Sequence, residues 1–325
     1  MNKPKRSEKG KTNQLTKRIA KRSKNAPLTI FQWFAAILGS IFGIAPRIEE
    51  KTLVKDTTEE ITVPQNIISR RALMIGSKYS ETEVPLYGCI NDLNNINKFL
   101  KTREFTNIIM VSDDEPIKKP TKQIITDELT DFLKKSNETK NEILYIHFSG
   151  HGIQRYTTNL DELDAMNELI CTYEDDKTMS HISDNVLNKL IVDNLAADAT
   201  LYIVFDCCHS GTMLDLKYTY HDTLQGWLQS DIIKDTDKKC GHVIMLSGCC
   251  DPQTSSDAQF TDEKMKTSYQ GALTFAMLHA INMVKETEIG KIYHKTLAYL
   301  YQNDFEQYPQ LSTNRPFSVD GHFLS

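Results

Sequence analysis

Glycine and proline are scarce in this chain, 14 and 10 of 325 residues. That excludes a collagen-like or low-complexity sequence and leaves an ordinary globular composition, 40% hydrophobic and 25% charged. No C-x-x-C spacing occurs among the cysteines, Cys89, Cys171, Cys207, Cys208, Cys240, Cys249 and Cys250. Their number is odd and two pairs are adjacent, so neither a disulfide-stapled secreted domain nor a zinc-ligand pattern fits. A reducing compartment with one functional thiol fits better. An excess of positive charge is also lacking. The 38 Lys and Arg against 43 Asp and Glu give a net −5, which argues against nucleic acid as a partner.

That average hides an uneven spread. Residues 1–24 hold ten basic residues and one acid, Glu8, for a net of +9, so the other 301 residues carry −14. Directly after this tail, residues 25–46 contain no charge at all. Within them, Leu28 to Ala45 is bracketed by Pro27 and Pro46, and as a helix would be roughly 27 Å long, marginal for a bilayer core. Beside a basic flank, the segment reads as a membrane anchor or an in-plane helix on anionic lipid. A signal sequence, a helix docked on the body and a disordered pro-segment are the alternatives. Residues 47–66 are polar, with Pro64 near the end, and read as a linker.

From residue 67 to 325 short apolar runs alternate with amphipathic stretches. Strands are expected at Arg71–Ile75, Asn107–Val111, Ile143–Phe148, Leu201–Phe205, Val243–Leu246 and Phe317–Val319. Helices are expected at Cys89–Phe99, Thr121–Lys135, Asp184–Asn194, Gly271–Val284 and His294–Gln302. This pattern argues for an α/β protein with a mostly parallel central sheet sandwiched by helices. Ligands in such sheets sit beyond the strand C-termini. Three loops are selected, after Phe148, Phe205 and Leu246.

Those loops carry Ser149-Gly150-His151-Gly152, Asp206-Cys207-Cys208-His209-Ser210-Gly211 and Ser247-Gly248-Cys249-Cys250-Asp251. A cysteine and a histidine at neighbouring strand ends can meet, the histidine acting as base or as ion-pair partner of a thiolate. The N–H groups of Gly152 and Cys208 would make an oxyanion hole. Residue chemistry alone does not separate Cys207 from Cys208.

The S-G-H-G and D-C-C-H-S-G pair resembles the signature of the metacaspases, caspase-like cysteine peptidases. Tyr87-Gly88-Cys89-Ile90-Asn91-Asp92, Gln253-Thr254-Ser255-Ser256-Asp257, Gly271-Ala272-Leu273-Thr274 and Pro309-Gln310-Leu311-Ser312 match in order, over about residues 67–325. The resemblance is to type I members, with a prodomain before one catalytic domain of caspase-like fold. It implies a cysteine endopeptidase in which His151 is the base and Cys208 the nucleophile. Asp92 and Asp206, beside Cys89 and Ser149, would line the pocket for the residue before the cut. Two carboxylates in a partly dry pocket need a cation, so the resemblance and the electrostatics agree on protein or peptide substrates with Arg or Lys there. A caspase cutting after Asp would need basic residues instead.

The chemistry itself requires no cofactor. The family's activating calcium falls on Asn167, Ser183, Asp184 and Asp215, of which only two are acidic. Weak calcium dependence, or its loss, is therefore expected, with Glu168, Glu174, Asp175 and Asp176 near enough to compensate. Self-processing would use basic sites such as Lys51, Lys55, Arg70, Arg71, Lys238, Lys239, Lys264 and Lys266. The expected enzyme is a monomer, membrane-associated through residues 25–46, with its catalytic domain on the cytoplasmic side. The rival from another class is a membrane-tethered pseudoprotease serving as a scaffold.

Overall fold

The computed structural model describes residues 52–55, 69–114, 118–156, 166–222, 224–230, 240–248, 257–261, 267–283, 288–305 and 307–324. The basic tail, the uncharged segment 25–46, and residues 249–256 with Cys249 and Cys250 lie outside them. Among the described residues, no helix is long and apolar enough to cross a membrane.

In chain order the strands are β1 (Thr52–Lys55), β2 (Ser69–Gly76), β3 (Asn107–Ser112), β4 (Glu142–Ser149), β5 (Gly152–Tyr156), β6 (Met166–Tyr173) and β7 (Met179–Ser183). They continue with β8 (Thr200–Asp206), β9 (Tyr218–His221), β10 (Gly226–Gln229), β11 (His242–Ser247), β12 (Asp257–Thr261), β13 (Thr267–Gly271) and β14 (Gln310–Thr313). The helices are α1 (Cys89–Lys101), α2 (Lys122–Lys134), α3 (Asp184–Asn194), α4 (Ala272–Met283) and α5 (Ile289–Gln302).

The central sheet runs β1-β10-β9-β14-β11-β8-β4-β2-β3. From β11 to β3 all neighbours are parallel, and these strands carry the expected apolar runs. Strand alternation sends their side chains into two cores. Leu73, Ile75, Leu144, Ile146, Phe148, Leu201, Ile203 and Phe205 meet α2 and α3 through Ile125, Leu129, Phe132, Leu187 and Ile191. Ala72, Met74, Tyr145, Tyr202, Val204 and Ile244 meet α1, α4 and α5 through Leu93, Ile96, Leu273, Met277 and Ile292. Thr121 and Ser183 cap α2 and α3, accepting from Ile124 N and Val186 N. The expected sandwich of helices around a central sheet is thus present, and the parallel half of the sheet is the half that presents the selected loops.

The other half is an antiparallel extension of short strands, β14, β9, β10 and β1. Two expectations are corrected there. Residues 47–66 are not all linker, because Thr52–Lys55 pairs with Gly226–Gln229 at the sheet edge. The last strand is Gln310–Thr313 on β11, not Phe317–Val319. Phe317 is buried with its ring tilted against Trp227, 4.9 Å between centres, and the Trp227 indole N–H donates to the Phe317 carbonyl at 2.9 Å, so its apolarity reflects packing rather than pairing. Helix α5 also starts five residues earlier than expected, at Ile289, because Gly290 lets it approach Val319 to about a methyl's distance (a Cβ there would lie 3.0 Å from Val319 Cγ2).

Arg70 and Arg71 lie within β2, and Arg71 forms a buried two-pronged ion pair with Glu142, at 2.7 and 2.6 Å. Neither is an extended, free segment that a peptidase could cut in the folded chain. Lys55 likewise sits in a paired strand.

Candidate active site

Strands β4 and β8 are parallel neighbours with Ser149 opposite Asp206, so both end at the same level. The Ser149–Gly152 and Asp206–His209 segments therefore leave the sheet side by side. Gly150 N donates to Asp206 O at 3.3 Å. At Gly152 a Cβ would fall 2.1 Å from Cys208 O and 3.2 Å from Cys207 Sγ, so the backbone passes where no side chain fits. The third loop is tied in by Gly248 N, which donates to Phe205 O at 2.8 Å and Ser210 Oγ at 3.1 Å.

Burial separates the two cysteines that residue type left equivalent. Cys207 is fully buried, whereas Cys208 is half-buried on the open side of the loop. His209 holds the turn with a left-handed φ of 50°, which fits a loop-forming role. The pair Gly152–Ile170 between β5 and β6 is of the non-hydrogen-bonded type, because Cys171 N donates to His151 O at 2.9 Å. The Gly152 N–H is thus turned away from β6.

His151 is oriented by neighbours that sequence reasoning missed. Its Nε2 lies 2.7 Å from the Val84 carbonyl. A carbonyl only accepts, so Nε2 carries the proton and Nδ1 keeps its lone pair. The His151 backbone N–H donates to Tyr79 Oη at 3.1 Å, and that hydroxyl donates to Cys171 O at 2.8 Å. The Tyr79 ring lies 4.8 Å from the imidazole. Burial, with smaller contributions from neighbouring cysteines, pushes the Tyr79 phenol well above its usual range, so it stays a neutral donor. Burial, with nearby Cys208 as a second cause, pushes the Cys171 thiol up to about 12, so Cys171 remains protonated.

Asp92 and Asp206 converge on Gly271. Asp92, in the first turn of α1, is fully buried, and Asp206 is 3% exposed. Ser149 Oγ donates to Asp92 Oδ2 at 2.7 Å, and Gly271 N donates to both Asp92 oxygens at 3.0 Å. Thr274 reaches Asp206 Oδ2 twice, through its backbone N–H at 2.8 Å and its hydroxyl at 2.7 Å. A Cβ on Gly271 would lie 2.2 Å from Asp206 Oδ2 and 2.9 Å from Asp92 Oδ2, so both carboxylates flank one Cα. The N-terminus of α4 faces the pair and its partial positive charge offsets part of their repulsion. Cys89, one helical turn before Asp92, is buried beside it. These neutral donors satisfy lone pairs without removing the negative charges of the two carboxylates. At the surface, Tyr87 and Tyr269 stand with ring centres 5.3 Å apart, and Tyr269 shares a strand face with Gly271. Gly271 and Thr274 belong to a motif that the sequence offered without a role.

The four expected calcium residues also come to one corner. The β6–β7 register sets Leu169 against Ser183, which puts Asn167 beside the start of α3, where Asp184 is the first residue. Asn188, one turn further, donates to Leu214 O at 2.7 Å and holds the turn that contains Asp215. Asn167 Oδ1 is buried with no hydrogen-bond partner among the described residues, and Asp184 and Asp215 are buried. These are oxygen donors of the type a hard cation takes, but Ser183 Oγ is engaged by Val186 N and the helix N-terminus opposes positive charge. Among the described residues no group of three or more His, Cys, Asp or Glu is placed to hold a metal. The nearby acids have other contacts. Glu168 projects from the opposite face of β6 to Asn167 and accepts from Gln154, Glu174 accepts from Lys122 N and Thr172, Asp175 pairs with Lys119, and Asp176 closes a turn with Thr178.

The sheet and its loops have a caspase-like fold, with a cysteine and a histidine on loops that leave adjacent strand ends. In comparison with known proteins, residues 70–217 match the description "Metacaspase, peptidase C14 domain". Metacaspase-1 of Mycosarcoma maydis is 29% identical over 78% of this chain and 73% of its own length. Metacaspase-2 of Trypanosoma brucei brucei is 28% identical over 78% of this chain and 75% of its own. Metacaspase-2 of Arabidopsis thaliana is 34% identical over 65% of this chain and 52% of its own. A crystal structure of a Geobacter sulfurreducens protein, 20% identical, superposes with a TM-score of 0.54 over 77% of this chain and 99% of that one, a likeness of fold. These matches indicate a cysteine-type peptidase that is similar to metacaspases over most of its length.

Proposed function

We propose that this chain is an endopeptidase that cuts after Arg or Lys through a Cys208–His151 dyad. Cys208 Sγ attacks the scissile carbonyl carbon while its proton passes to His151 Nδ1, the nitrogen left free by the Nε2–H bond to Val84 O. The N–H groups of Gly152 and Cys208 take the negative charge on the carbonyl oxygen. The C–N bond then breaks, the amine leaves with the histidine's proton, and water hydrolyses the thioester. Asp92 and Asp206 hold the basic side chain, with Cys89 and Ser149 as pocket wall. The observation that carries this reading is the pair of buried carboxylates flanking Gly271, one strand end away from Cys208. Fluorogenic peptides alike except for Arg, Lys or Asp before the cut test it. Hydrolysis of the first two alone is expected, and preferential cutting after Asp overturns the specificity.

Three finer readings go with it. Calcium dependence is weak or lost, supported by the two-carboxylate donor set; full activation at micromolar calcium after chelator treatment contradicts this. The basic tail and residues 25–46 attach the chain to anionic membrane on the cytoplasmic side. The full chain is expected to float with phosphatidylserine vesicles and a chain lacking residues 1–46 to stay behind; equal flotation contradicts it. Self-processing uses Lys51, Lys238, Lys239, Lys264 or Lys266, and N-terminal sequencing that finds only intact chain argues against it.

A further inference from the structure

Beneath the acidic pocket lies a buried group that the mechanism above does not use. His147, on β4 two residues before Ser149, is fully buried, and its Nε2 lies 3.3 Å from Thr274 Oγ1. The same hydroxyl donates to Asp206 Oδ2 at 2.7 Å. On the other side of the ring, Tyr145 Oη lies 3.4 Å from Nδ1. We infer that His147 is a positioning residue for the specificity pocket, fixing Asp206 through the hydroxyl of Thr274. This rests on the proposed Arg/Lys reading of that pocket.

The direction of every bond in the chain follows from its last member. Threonine has one hydroxyl proton, and ionised Asp206 only accepts. The Thr274 proton therefore goes to Asp206, and its oxygen must accept from His147. That requires the proton on Nε2, with Nδ1 accepting from the Tyr145 hydroxyl. Donors then run Tyr145 to His147 to Thr274 to Asp206 without a break. The opposite tautomer would leave Nε2 needing a proton, and among the described residues the one in reach is the Thr274 proton that Asp206 uses. A neutral imidazole is essential, and burial keeps it so by depressing the His147 pKa to about 3. The groups facing His147 are Tyr145 from its own strand and Thr274 from α4, with Asp206 of β8 beyond the hydroxyl.

A hydroxyl locked in this way holds one carboxylate oxygen in place before substrate arrives. Its loss should weaken binding of the basic side chain and leave the reacting atoms undisturbed. The test uses the full chain with an Arg-ended fluorogenic peptide and an Arg-ended peptide aldehyde. His147→Leu is expected to raise KM and the aldehyde's inhibition constant together by about 10-fold, with kcat within about 2-fold of wild type. His147→Gln, which can offer an amide N–H near the position of Nε2, should restore most of the loss. Thr274→Val breaks the same chain one residue later and should reproduce the split, with Thr274→Ser restoring it; this pair decides the question if His147→Leu does not fold. An unchanged KM in a folded His147→Leu or Thr274→Val, or equal loss with His147→Gln and His147→Leu, overturns the inference. Wild-type protein that cuts neither Arg nor Lys peptides overturns the pocket reading itself, whereas active wild type with unaffected variants overturns only the role of His147.

Discussion

Cys208→Ala should lower hydrolysis of an Arg-ended peptide by about 10⁴-fold, because among the described residues the other cysteines are all buried. Two rivals for that role are excluded by their surroundings. Cys207 is fully buried and packs under Gly152, and Cys171 is held as a thiol by burial. Cys207→Ala should therefore stay within a few-fold of wild type, and any loss should follow stability rather than chemistry. Far-UV circular dichroism and a thermal melt of each variant separate the two causes. Equal rates for wild type and Cys208→Ala would end the enzyme reading and leave the scaffold alternative.

Neutralising the pocket should have the second-largest effect. Asp206→Asn keeps the size of the side chain but removes a charge, and it points an NH2 group or a weaker acceptor at the two donors of Thr274. Asp92→Asn does the same against Gly271 N and Ser149 Oγ. Losing one partner of a buried, hydrogen-bonded charge pair costs about 2–5 kcal/mol, so kcat/KM for Arg-ended peptides should fall by roughly 10²- to 10³-fold in each variant. The loss should be mainly in KM, since neither carboxylate touches the reacting carbonyl. The double variant should fall by less than the product of the single losses, because both acids serve one cation. Additive losses, or a fall confined to kcat, would mean that the two carboxylates do not share a ligand.

The parts of this site that the sequence revealed were those with strong side-chain signatures. The apolar runs at residues 143–148 and 201–205 marked the parallel strands, and the rule that sites lie beyond strand ends then pointed to the loops that carry His151 and the Cys207-Cys208 pair. Short strands escaped. Gly152–Tyr156, Tyr218–His221 and Gly226–Gln229 are four or five residues long and half exposed, so they show neither an apolar run nor a long alternation. Thr52–Lys55 sits in a polar stretch and is a strand because β10 offers it an edge. Much of the site's support is backbone, namely Val84 O, Gly271 N and Gly152 N, and backbone atoms leave no mark in residue type. His147 escaped for another reason. A lone histidine inside an apolar strand reads as core, and only its position against Thr274 gives it a purpose.

On the proposed reading, Cys208 and the two carboxylates serve one substrate whose basic side chain precedes the cut. An Arg-ended chloromethyl ketone tests this in one measurement, since its guanidinium fills the pocket while the attacking sulfur displaces chloride. Peptide mapping by mass spectrometry after one equivalent of reagent should find a single adduct, on Cys208, and an Asp-ended analogue should give none at the same concentration. An adduct on Cys207 or on cysteines at random, or equal labelling by the Asp-ended reagent, would contradict the account.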